Sequence, residues 1–380
     1  MKLSNSLKEN LINILKKLIQ IPTENPPGKT KEIINFLITE VFKEEDGFHN
    51  EIITHMKGNI ELHNLITRIG TGNKKIVLSG HFDVVPIGDP SKWVYPPFSA
   101  KIVDGKLYGR GSADMKGGIT SLIGVLLFLS TNTNFTEKNE LIFLGTADEE
   151  TDMSGSFTLS KSGYIDDANL LIVAEPTDLN IGIAEKGLLW AILKIYGKSA
   201  HGSMPSEGIN AIEGALEIIP QLYGCVEDKI NTILGKPTLN IGKIKGGTKI
   251  NVVPDYAQLE ADFRIIPEQR HENVINKINS IKSEYCKIEV DIVKNSPALQ
   301  TDLNHLFIQN LKKVTNSEYI GLSYATDAVN YVSSNKSIPF VIFGPGNPTI
   351  IHKENECVSL KQVFQASELL IKALLETFLD

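Results

Sequence analysis

Histidines and carboxylates follow several short apolar runs in this 380-residue sequence. Such runs are typical of buried strands, and ligands of open α/β sheets bind beyond the carboxyl ends of the strands. The polar residues in these positions are His81 and Asp83 after KIVLSG, Asp114 in the turn GRGSADMKGG, Asp148, Glu149 and Glu150 after LIFLGTA, Glu175 after LLIVA, and His352 soon after FVIFGPG. We therefore expect these side chains to converge on one edge of one sheet.

Two histidines and several carboxylates, with no cysteine among them, form a donor set that suits zinc, cobalt or manganese. The number of donors is sufficient for two ions. We expect His81 and Glu175 to bind one ion. Glu150 and His352 would bind the other, and Asp114 would bridge the two. Three carboxylates against two divalent ions leave one positive charge, which a bridging hydroxide would neutralise. Such a pair of ions makes water acidic and polarises a carbonyl.

The remaining acids suggest two further roles. Glu149 lies beside a ligand without being one, so it is predicted to be the general base that takes the proton of water and passes it to a leaving amine. Asp83 lies on the same strand face as His81 and is predicted to orient its imidazole. Taken alone, each of these residues is more often a solvated surface acid or a hydrogen-bonded buried histidine than a ligand. Their combination at several strand ends favours a catalytic metal site.

Two different strand patterns predict two domains. Apolar runs that alternate with helical patterns up to residue 180, and again near residue 340, indicate buried parallel strands. Between them, LLWAILKIYG, TLNIGKI, DYAQLEADFRI and KIEVDIV alternate apolar and polar residues, as half-exposed antiparallel strands do. We therefore predict an α/β fold with a mostly parallel sheet in a catalytic domain formed by residues 1–184 and 297–380. A ferredoxin-like β-α-β-β-α-β unit at 185–296 would be inserted into it.

Composition excludes several classes of protein. A net charge of −7 without a Lys/Arg block argues against nucleic-acid binding. Three cysteines without a CxxC pair predict no disulfide framework. The N-terminal pattern predicts an amphipathic helix opened by a Ser6–Glu9 capping box rather than a signal peptide. The run GITSLIGVLLFLS is too short for a bilayer and predicts a buried helix. We expect a soluble, cytoplasmic protein that binds neither membrane nor nucleic acid.

A family resemblance covers nearly the whole chain. The motifs SGHFDVVP, LYGRGSADMKGG, GTADEE, AEPTDL, GKSAHGSMP, GGTKINVVPD and DFRIIP resemble, in order, those of the M20 zinc amidohydrolases, in particular the branch of acetylornithine deacetylase and succinyl-diaminopimelate desuccinylase. The resemblance implies the same two-zinc assignment, with Glu149 as general base. It also implies a cis Asp114–Met115 peptide and a homodimer formed through the inserted unit, which would act as a lid.

The same resemblance implies the residues that contact substrate. His201 in SAHGS would reach the neighbouring subunit's site and stabilise an oxyanion. Asn251 and Arg264 would hold the substrate carboxylate, whose shape matches the guanidinium fork. The alternative for Arg264 is an exposed cross-strand charge. Thr326 and the glycine turn of Gly344 and Gly346 would line the amino-acid pocket.

The identity of the substrate is left open between related reactions. The leading hypothesis is that the substrate is a small-molecule N-acyl amino acid. GRGSADMKG and IHKENECV are more similar to the desuccinylase, whereas ADEETDMSGS, EPTDL and AEKG are more similar to acetylornithine deacetylase. The desuccinylase has an Arg pair where this chain has Glu185-Lys186, and Gly-Arg where it has Ala328-Val329.

Two alternatives stand beside that hypothesis. One is a dipeptidase or carboxypeptidase of the same family, which also cleaves an amide beside a carboxylate. The other is a catalytically inactive amino-acid-binding protein with the same fold, which would have no need of Glu149 beside the ligands.

Overall fold

The computed structural model describes residues 2–379, which form two compact units. The first unit contains the residues up to Ile183, then Thr301–Ile320, and the residues from Thr326 onward. The second unit contains Ala184–Gln300 and Gly321–Ala325. It therefore includes the stretch 185–296 that the sequence assigns to the inserted unit.

The helices and strands follow in chain order. Up to residue 185 they are α1 (Asn5–Gln20), α2 (Lys31–Phe36), β1 (His49–Lys57), β2 (Ile60–Ile69), β3 (Lys74–His81), β4 (Lys101–Val103), β5 (Lys106–Tyr108), α3 (Gly117–Ser130), α4 (Thr133–Lys138), β6 (Asn139–Thr146), α5 (Ser154–Leu159), β7 (Leu170–Val173) and β8 (Ile181–Glu185). The middle of the chain forms β9 (Gly187–Tyr196), α6 (Ala211–Gly224), β10 (Thr238–Gly246), β11 (Tyr256–Ile265), α7 (His271–Asn279), β12 (Lys287–Ser296) and β13 (Leu299–Gln300). The last part forms α8 (Leu306–Thr315), β14 (Tyr319–Leu322), α9 (Ala328–Ser334), β15 (Phe340–Ile342), β16 (Cys357–Ser359) and α10 (Leu360–Phe378).

The large sheet has a parallel centre. Its strand order is β1-β2-β6-β3-β7-β15-β8-β13. β6, β3, β7 and β15 pair in parallel, as their apolar runs predict, whereas β1 and β2 add an antiparallel edge. The central strands are buried on both faces, which explains why they read as continuous apolar runs. The predicted α/β class is confirmed, but the sheet is mixed rather than mostly parallel, because β1, β2, β8 and β13 pair antiparallel.

The helix α3 lies in the core of the first unit. With the helical turn before it, Ser112–Ser130 is long and apolar enough to cross a membrane by length and composition, but 89% of that stretch is buried inside the protein. Burial among other protein side chains, rather than lipid, explains its composition. The segment is a core helix, as the sequence predicts.

The first helix begins differently from the prediction. Helix α1 starts at Asn5, and the side chain of Ser4 accepts a hydrogen bond from the backbone N–H of Leu7 at 3.2 Å. The predicted capping box of Ser6 and Glu9 is therefore wrong, because Ser6 already lies inside the helix. A single-residue cap at Ser4 satisfies one of the free N–H groups of the first turn.

The second unit has a four-stranded antiparallel sheet with two helices on it. The strand order is β10-β11-β9-β12, and all three pairings are antiparallel. Apolar residues of the strands and of α6 and α7 form one core, which includes Leu193, Ile218, Phe263 and Ile278. Alternate residues of β11 are buried, as the alternating sequence predicts. The chain order β-α-β-β-α-β and this strand order are those of a ferredoxin-like unit.

Candidate metal centre

Strand register brings the predicted ligands to one edge of the large sheet. His81 ends β3 and lies opposite Thr146, the last residue of β6, so the segment after Thr146 begins beside His81. Ser79 lies opposite Val173, the last residue of β7, and Glu175 follows two residues later. Because these strands run in parallel, their carboxyl ends meet at the same edge.

The carboxylate of Asp114 lies between two histidines. Its Oδ1 is 3.3 Å from His81 Nε2, and its Oδ2 is 3.1 Å from His352 Nε2. Each histidine has a second carboxylate near the same nitrogen: Glu175 Oε1 is 3.7 Å from His81, and Glu150 Oε2 is 3.0 Å from His352. The structure therefore forms two donor groups that share Asp114 through its two oxygens.

The spacing of these donors fits divalent metal ions. Ligand atoms about 2.0–2.1 Å from a tetrahedral ion lie roughly 3.4 Å from one another. The contacts of both groups fall around that value, from 3.0 to 3.7 Å. Glu150 Oε1 is in addition buried without a hydrogen-bond partner in the described part of the chain. A cation would satisfy this oxygen, so the residues present fit a pair of metal ions.

The pKa values in the metal-free centre show how strongly these charges interact. Burial alone would raise the pKa of Asp114, but hydrogen bonds from His352 and His81 hold it below its ordinary value. Burial raises the pKa of Glu175 well above its ordinary value, and the charge of Asp114 adds to this effect while His81 opposes it. Hydrogen bonds to Asp114 and Glu150 raise the pKa of His352 to about 10. The two histidines therefore oppose the effect of burial on the carboxylates that they face.

The backbone of Asp83, rather than its carboxylate, makes the short contact that orients His81. The His81 Nδ1–H donates to the main-chain oxygen of Asp83 at 2.9 Å, whereas the Asp83 carboxylate is 3.8 Å away. Because this contact uses Nδ1, Nε2 is the nitrogen that faces Asp114 and Glu175 and that would bind an ion after losing its proton. The Asp83 carboxylate instead accepts the backbone N–H groups of Glu149 at 3.1 Å and Glu150 at 3.2 Å. It thereby holds the segment that carries the predicted base.

Glu149 lies beside the two donor groups. Its Oε2 is 4.0 Å from His81 Nε2, which is farther than any contact within the two groups. Burial raises the pKa of Glu149 well above its ordinary value; the charge of His81 opposes this shift, and the charges of Glu175, Asp327 and Glu150 add to it. A buried carboxylate next to a metal site, but outside its nearest contacts, is placed as a general base needs to be.

Two residues that were not predicted join the loops of Asp114 and His352. Glu356 Oε1 accepts the backbone N–H groups of Ala113 at 2.8 Å and Asp114 at 3.0 Å. Its Oε2 pairs with Arg110 at 2.7 Å, and Arg110 also donates to the main-chain oxygen of Lys353. Both side chains are buried. A charged residue within a glycine-rich turn, and a second acid after His352, are the only signals of these roles in the sequence.

The glycine turn and Thr326 lie in the same unit as the metal centre. Gly344 packs so closely on the main chain of Ala174 and Glu175 that a side chain there would clash with both carbonyl oxygens. Gly346 has a φ of 103°, which few residues other than glycine adopt. Thr326 is buried, and its hydroxyl accepts the N–H of Ala328 at 3.2 Å. The turn therefore supports the segment that carries Glu175.

The buried acid Asp327 was also not predicted. Its carboxylate accepts the hydroxyl of Thr146 at 2.6 Å, and burial raises its pKa. Because Thr146 ends β6, this contact ties the segment of Thr326 to the same sheet edge. The nearby peptide between Asp114 and Met115 is cis, as the family resemblance implied.

The other predicted substrate residues lie in the second unit. His201 forms an isolated β-bridge with Val252, and Gly202 donates to the main-chain oxygen of Asn251 at 2.8 Å. His201 and Asn251 thus belong to two adjacent exposed loops. The guanidinium of Arg264 pairs with Asp262 of the same strand, with Nε 2.9 Å from Oδ1. Arg264 therefore has an internal carboxylate partner.

Comparison with known proteins identifies the family. The model of the peptidase family M20/M25/M40 matches residues 77–376. The chain belongs to this family. It is a metal-dependent amidohydrolase, as the motifs predicted.

Relatives of this M20 protein include two named enzymes. A "Probable succinyl-diaminopimelate desuccinylase" of Staphylococcus aureus (strain MSSA476) is 33% identical, over 91% of this chain and 92% of that protein. The "Acetylornithine deacetylase" of Shigella sonnei (strain Ss046) is 29% identical, over 96% of each.

Solved structures of M20 proteins share the fold. The aminopeptidase PepT of Bacillus cereus has a TM-score of 0.76 at 22% identity, over 97% of this chain and 98% of that one. The YXEP protein of Bacillus subtilis, described as a dinuclear metal binding peptidase, has a TM-score of 0.67 at 18% identity, over 98% and 100%. At these identities the likeness confirms the α/β fold of the M20 protein and carries no statement about its substrate.

Metal binding should release protons, and its affinity should rise with pH. Because the pKa of His352 is raised to about 10, this residue is protonated at pH 7.5 and must lose its proton before its Nε2 can bind an ion. The apparent zinc affinity should then rise by about tenfold per pH unit for each proton released. Calorimetry at pH 7.5 in buffers of different ionisation enthalpy measures the number released. The variant His352→Gln should release fewer protons, and zinc binding without net proton release would contradict the assignment.

Proposed function

We propose that this protein is a two-zinc hydrolase that cleaves the amide bond of an N-acyl amino acid to a free amino acid and a carboxylic acid. The observation that carries the proposal is the Asp114 carboxylate shared between two histidine–glutamate pairs, with Glu149 beside them. The names of the curated relatives, a desuccinylase and a deacetylase, support the class of substrate.

The five predicted ligands would hold both ions. His81 and Glu175 would bind one ion, Glu150 and His352 the other, and Asp114 both. Neutral imidazole nitrogens and carboxylate oxygens suit zinc best, and cobalt and manganese accept the same donors. Bound ions would supply Lewis acidity towards the amide carbonyl and make nearby water more acidic.

Glu149 would move the protons of the reaction. Its carboxylate takes a proton from the attacking water, whose oxygen adds to the carbonyl carbon. The same oxygen of Glu149 then gives that proton to the amine nitrogen as the C–N bond breaks. Asp83 keeps the backbone of Glu149 in place through its N–H contact. Burial around Glu149 excludes competing water and strengthens these electrostatic interactions.

The remaining predicted residues would bind the substrate. We assign the substrate carboxylate to Asn251 and Arg264, and the wall of the amino-acid pocket to Thr326 and the turn of Gly344 and Gly346. His201 would donate to the oxyanion in the active site of the partner in a homodimer. The exposed loops of His201 and Asn251 support these roles, because side chains in exposed loops are accessible to a ligand or a second chain.

Acetyl and succinyl are the two candidates for the acyl group of the substrate. Lys186, in place of one member of the desuccinylase Arg pair, donates to the main-chain oxygen of Lys236 at 2.6 Å. Glu185-Lys186 supplies no guanidinium for a succinyl carboxylate at the position of the desuccinylase Arg pair, and N-acetylornithine is therefore our first candidate. We place the enzyme in the cytoplasm, because its three cysteines are free, as is usual in reducing compartments.

An assay of metal-loaded protein tests this function. N-acetylornithine, N-succinyl-diaminopimelate and a panel of dipeptides should be compared, with free amine as the readout. We expect turnover of an N-acyl amino acid that is lost in excess chelator and restored by zinc, because the ions supply the Lewis acid. Full turnover by protein shown by elemental analysis to lack metal would contradict the mechanism. Turnover of dipeptides alone would identify a dipeptidase instead.

The variant Glu149→Ala should retain metal and lose turnover. We expect kcat to fall by about 10²–10⁴-fold, the usual contribution of a general base, with zinc content near that of the wild type. His352→Ala should instead bind less zinc, and Glu137→Ala, which removes an exposed acid, should change neither. If Glu149→Ala lost both ions but kept its rate per bound ion, Glu149 and Glu150 would have exchanged roles.

Two inactive variants should restore each other in a mixed dimer. Glu149→Ala and His201→Ala should each be inactive, since one lacks the base and the other lacks the donor. After subunit exchange, one site of the heterodimer would contain an intact Glu149 and receive an intact His201, so up to about half of the sites in each heterodimer should regain activity. Exchange is verified by mass spectrometry of differently tagged chains. A fully active monomer, or no recovery after complete exchange, would show that His201 does not act across a dimer.

A further inference from the structure

The hairpin of β1 and β2 extends past the sheet beside the segment that carries Glu149 and Glu150. β2 pairs with β6 only over Leu65–Ile69, so Ile60–Asn64 pairs with β1 alone. Asn64 accepts the backbone N–H of Ala147 at 2.9 Å through its side-chain oxygen. We call residues 147–153 the acid loop. The part of the hairpin that β6 does not pair with therefore lies against the acid loop.

Asp148 is the anchor of the acid loop. Its φ is 70°, a left-handed conformation that residues other than glycine seldom adopt, and its side chain is 1% exposed. Its carboxylate accepts from Lys57 Nζ at 2.7 and 3.0 Å, and from the hydroxyls of Thr151 and Ser154 at 2.5 Å each. These contacts hold an unusual backbone conformation directly before Glu149.

Asn25 connects this anchor to the backbone of the predicted base. Its amide nitrogen donates to Asp148 Oδ1 and to Asp83 Oδ2, at 2.9 Å each. Asp83 in turn accepts the N–H groups of Glu149 and Glu150. A continuous chain of hydrogen bonds therefore runs from Lys57 through Asp148, Asn25 and Asp83 to the acid loop.

The charge of Lys57 balances a crowded group of acids. Its ammonium contacts both Asp148 and Asp152 at 2.7 Å, while Glu149 and Glu150 stand between these two in the sequence. Without Lys57, the carboxylates of Asp148 and Asp152, which both contact its ammonium, would repel one another and displace the loop. The Lys57 side chain is 33% exposed and belongs to no core cluster that the described residues show, so its replacement should leave the fold intact.

We propose that Lys57 is a positioning residue of the hydrolase. Through its contact with Asp148 and the hydrogen bonds of Asn25 and Asp83, it holds Glu149 and Glu150 in position. This inference rests on the proposed function of Glu149 as base. Lys57 lies at the end of an edge hairpin, outside the motifs that contain the ligands, but its loss should slow catalysis.

Lys57→Met keeps the length of the side chain and removes its charge, and Lys57→Arg restores a cation. Lys75→Met is a matched control, because Lys75 pairs with Asp167 at 2.7 Å with a side chain 26% exposed, at the opposite end of β3 from His81. We expect Lys57→Met to lower kcat by about 10–100-fold with little change in KM, the usual cost of losing a residue that orients a metal-site ligand. Lys57→Arg should recover most of the rate, and Lys75→Met should match the wild type.

Amide hydrogen exchange of metal-free protein gives a second readout that does not depend on activity. Peptides covering the acid loop should exchange about tenfold or more faster in Lys57→Met, while the rest of the chain and the melting temperature stay close to those of Lys75→Met. Unchanged exchange in the acid loop, or faster exchange with unchanged kcat, would overturn the proposal. A wild type that hydrolyses no amide would refute the proposed function, and loop exchange alone would then decide whether Lys57 holds the acid loop.

Discussion

The shared carboxylate of Asp114 is the interaction on which the rest of the first unit depends. It lies within 3.3 Å of two histidine nitrogens; Glu175 is buried beside them, and the side chains of Glu149 and Glu150 are 12% and 6% exposed. Carboxylates gathered at low dielectric repel one another unless cations or protons balance them. Burial raises the pKa of Glu149, Glu150 and Glu175, so negative charge on these carboxylates is unfavourable at this site. Two divalent ions would balance that charge and give the cluster its function.

Much of the surrounding fold serves to keep this unfavourable cluster in place. Parallel strands bring four of its members, His81, Glu149, Glu150 and Glu175, to one sheet edge. The buried pair of Arg110 and Glu356 ties the loops of Asp114 and His352 together. His352 itself has a φ of 60°, which its loop must hold against the intrinsic preference of the backbone. The acid loop is held in the same way, by the side chains of Lys57, Asn25 and Asp83.

The sequence was most informative where a local pattern has a single structural explanation. Continuous apolar runs identified β3, β6, β7 and β15, and alternation identified the strands of the second unit. Ligand types at the strand ends then led to the five residues that the structure brings together or places in contact. The capping box failed because two serines precede the first apolar residues of α1, and only the backbone decides which one lies outside the helix.

Contacts between residues far apart in the sequence could not be predicted from local patterns. Glu356 reaches the N–H of Asp114 across 242 residues, and Asn25 reaches Asp148 across 123. Neither residue belongs to a pattern that specifies its partner, since the partner is set by how the loops pack. The role of Asp83 differed from the prediction for the same reason. Its position beside His81 could be predicted, but not that its carboxylate accepts the backbone N–H groups of Glu149 and Glu150.

Anomalous diffraction from a zinc-loaded crystal tests the central claim most directly. We expect two peaks about 3.5–4 Å apart, each about 2.0–2.2 Å from a different oxygen of Asp114. One peak should be bound by His81 and Glu175 and the other by Glu150 and His352. A single peak at full zinc loading, or two peaks of which one makes no contact with Asp114, would contradict it.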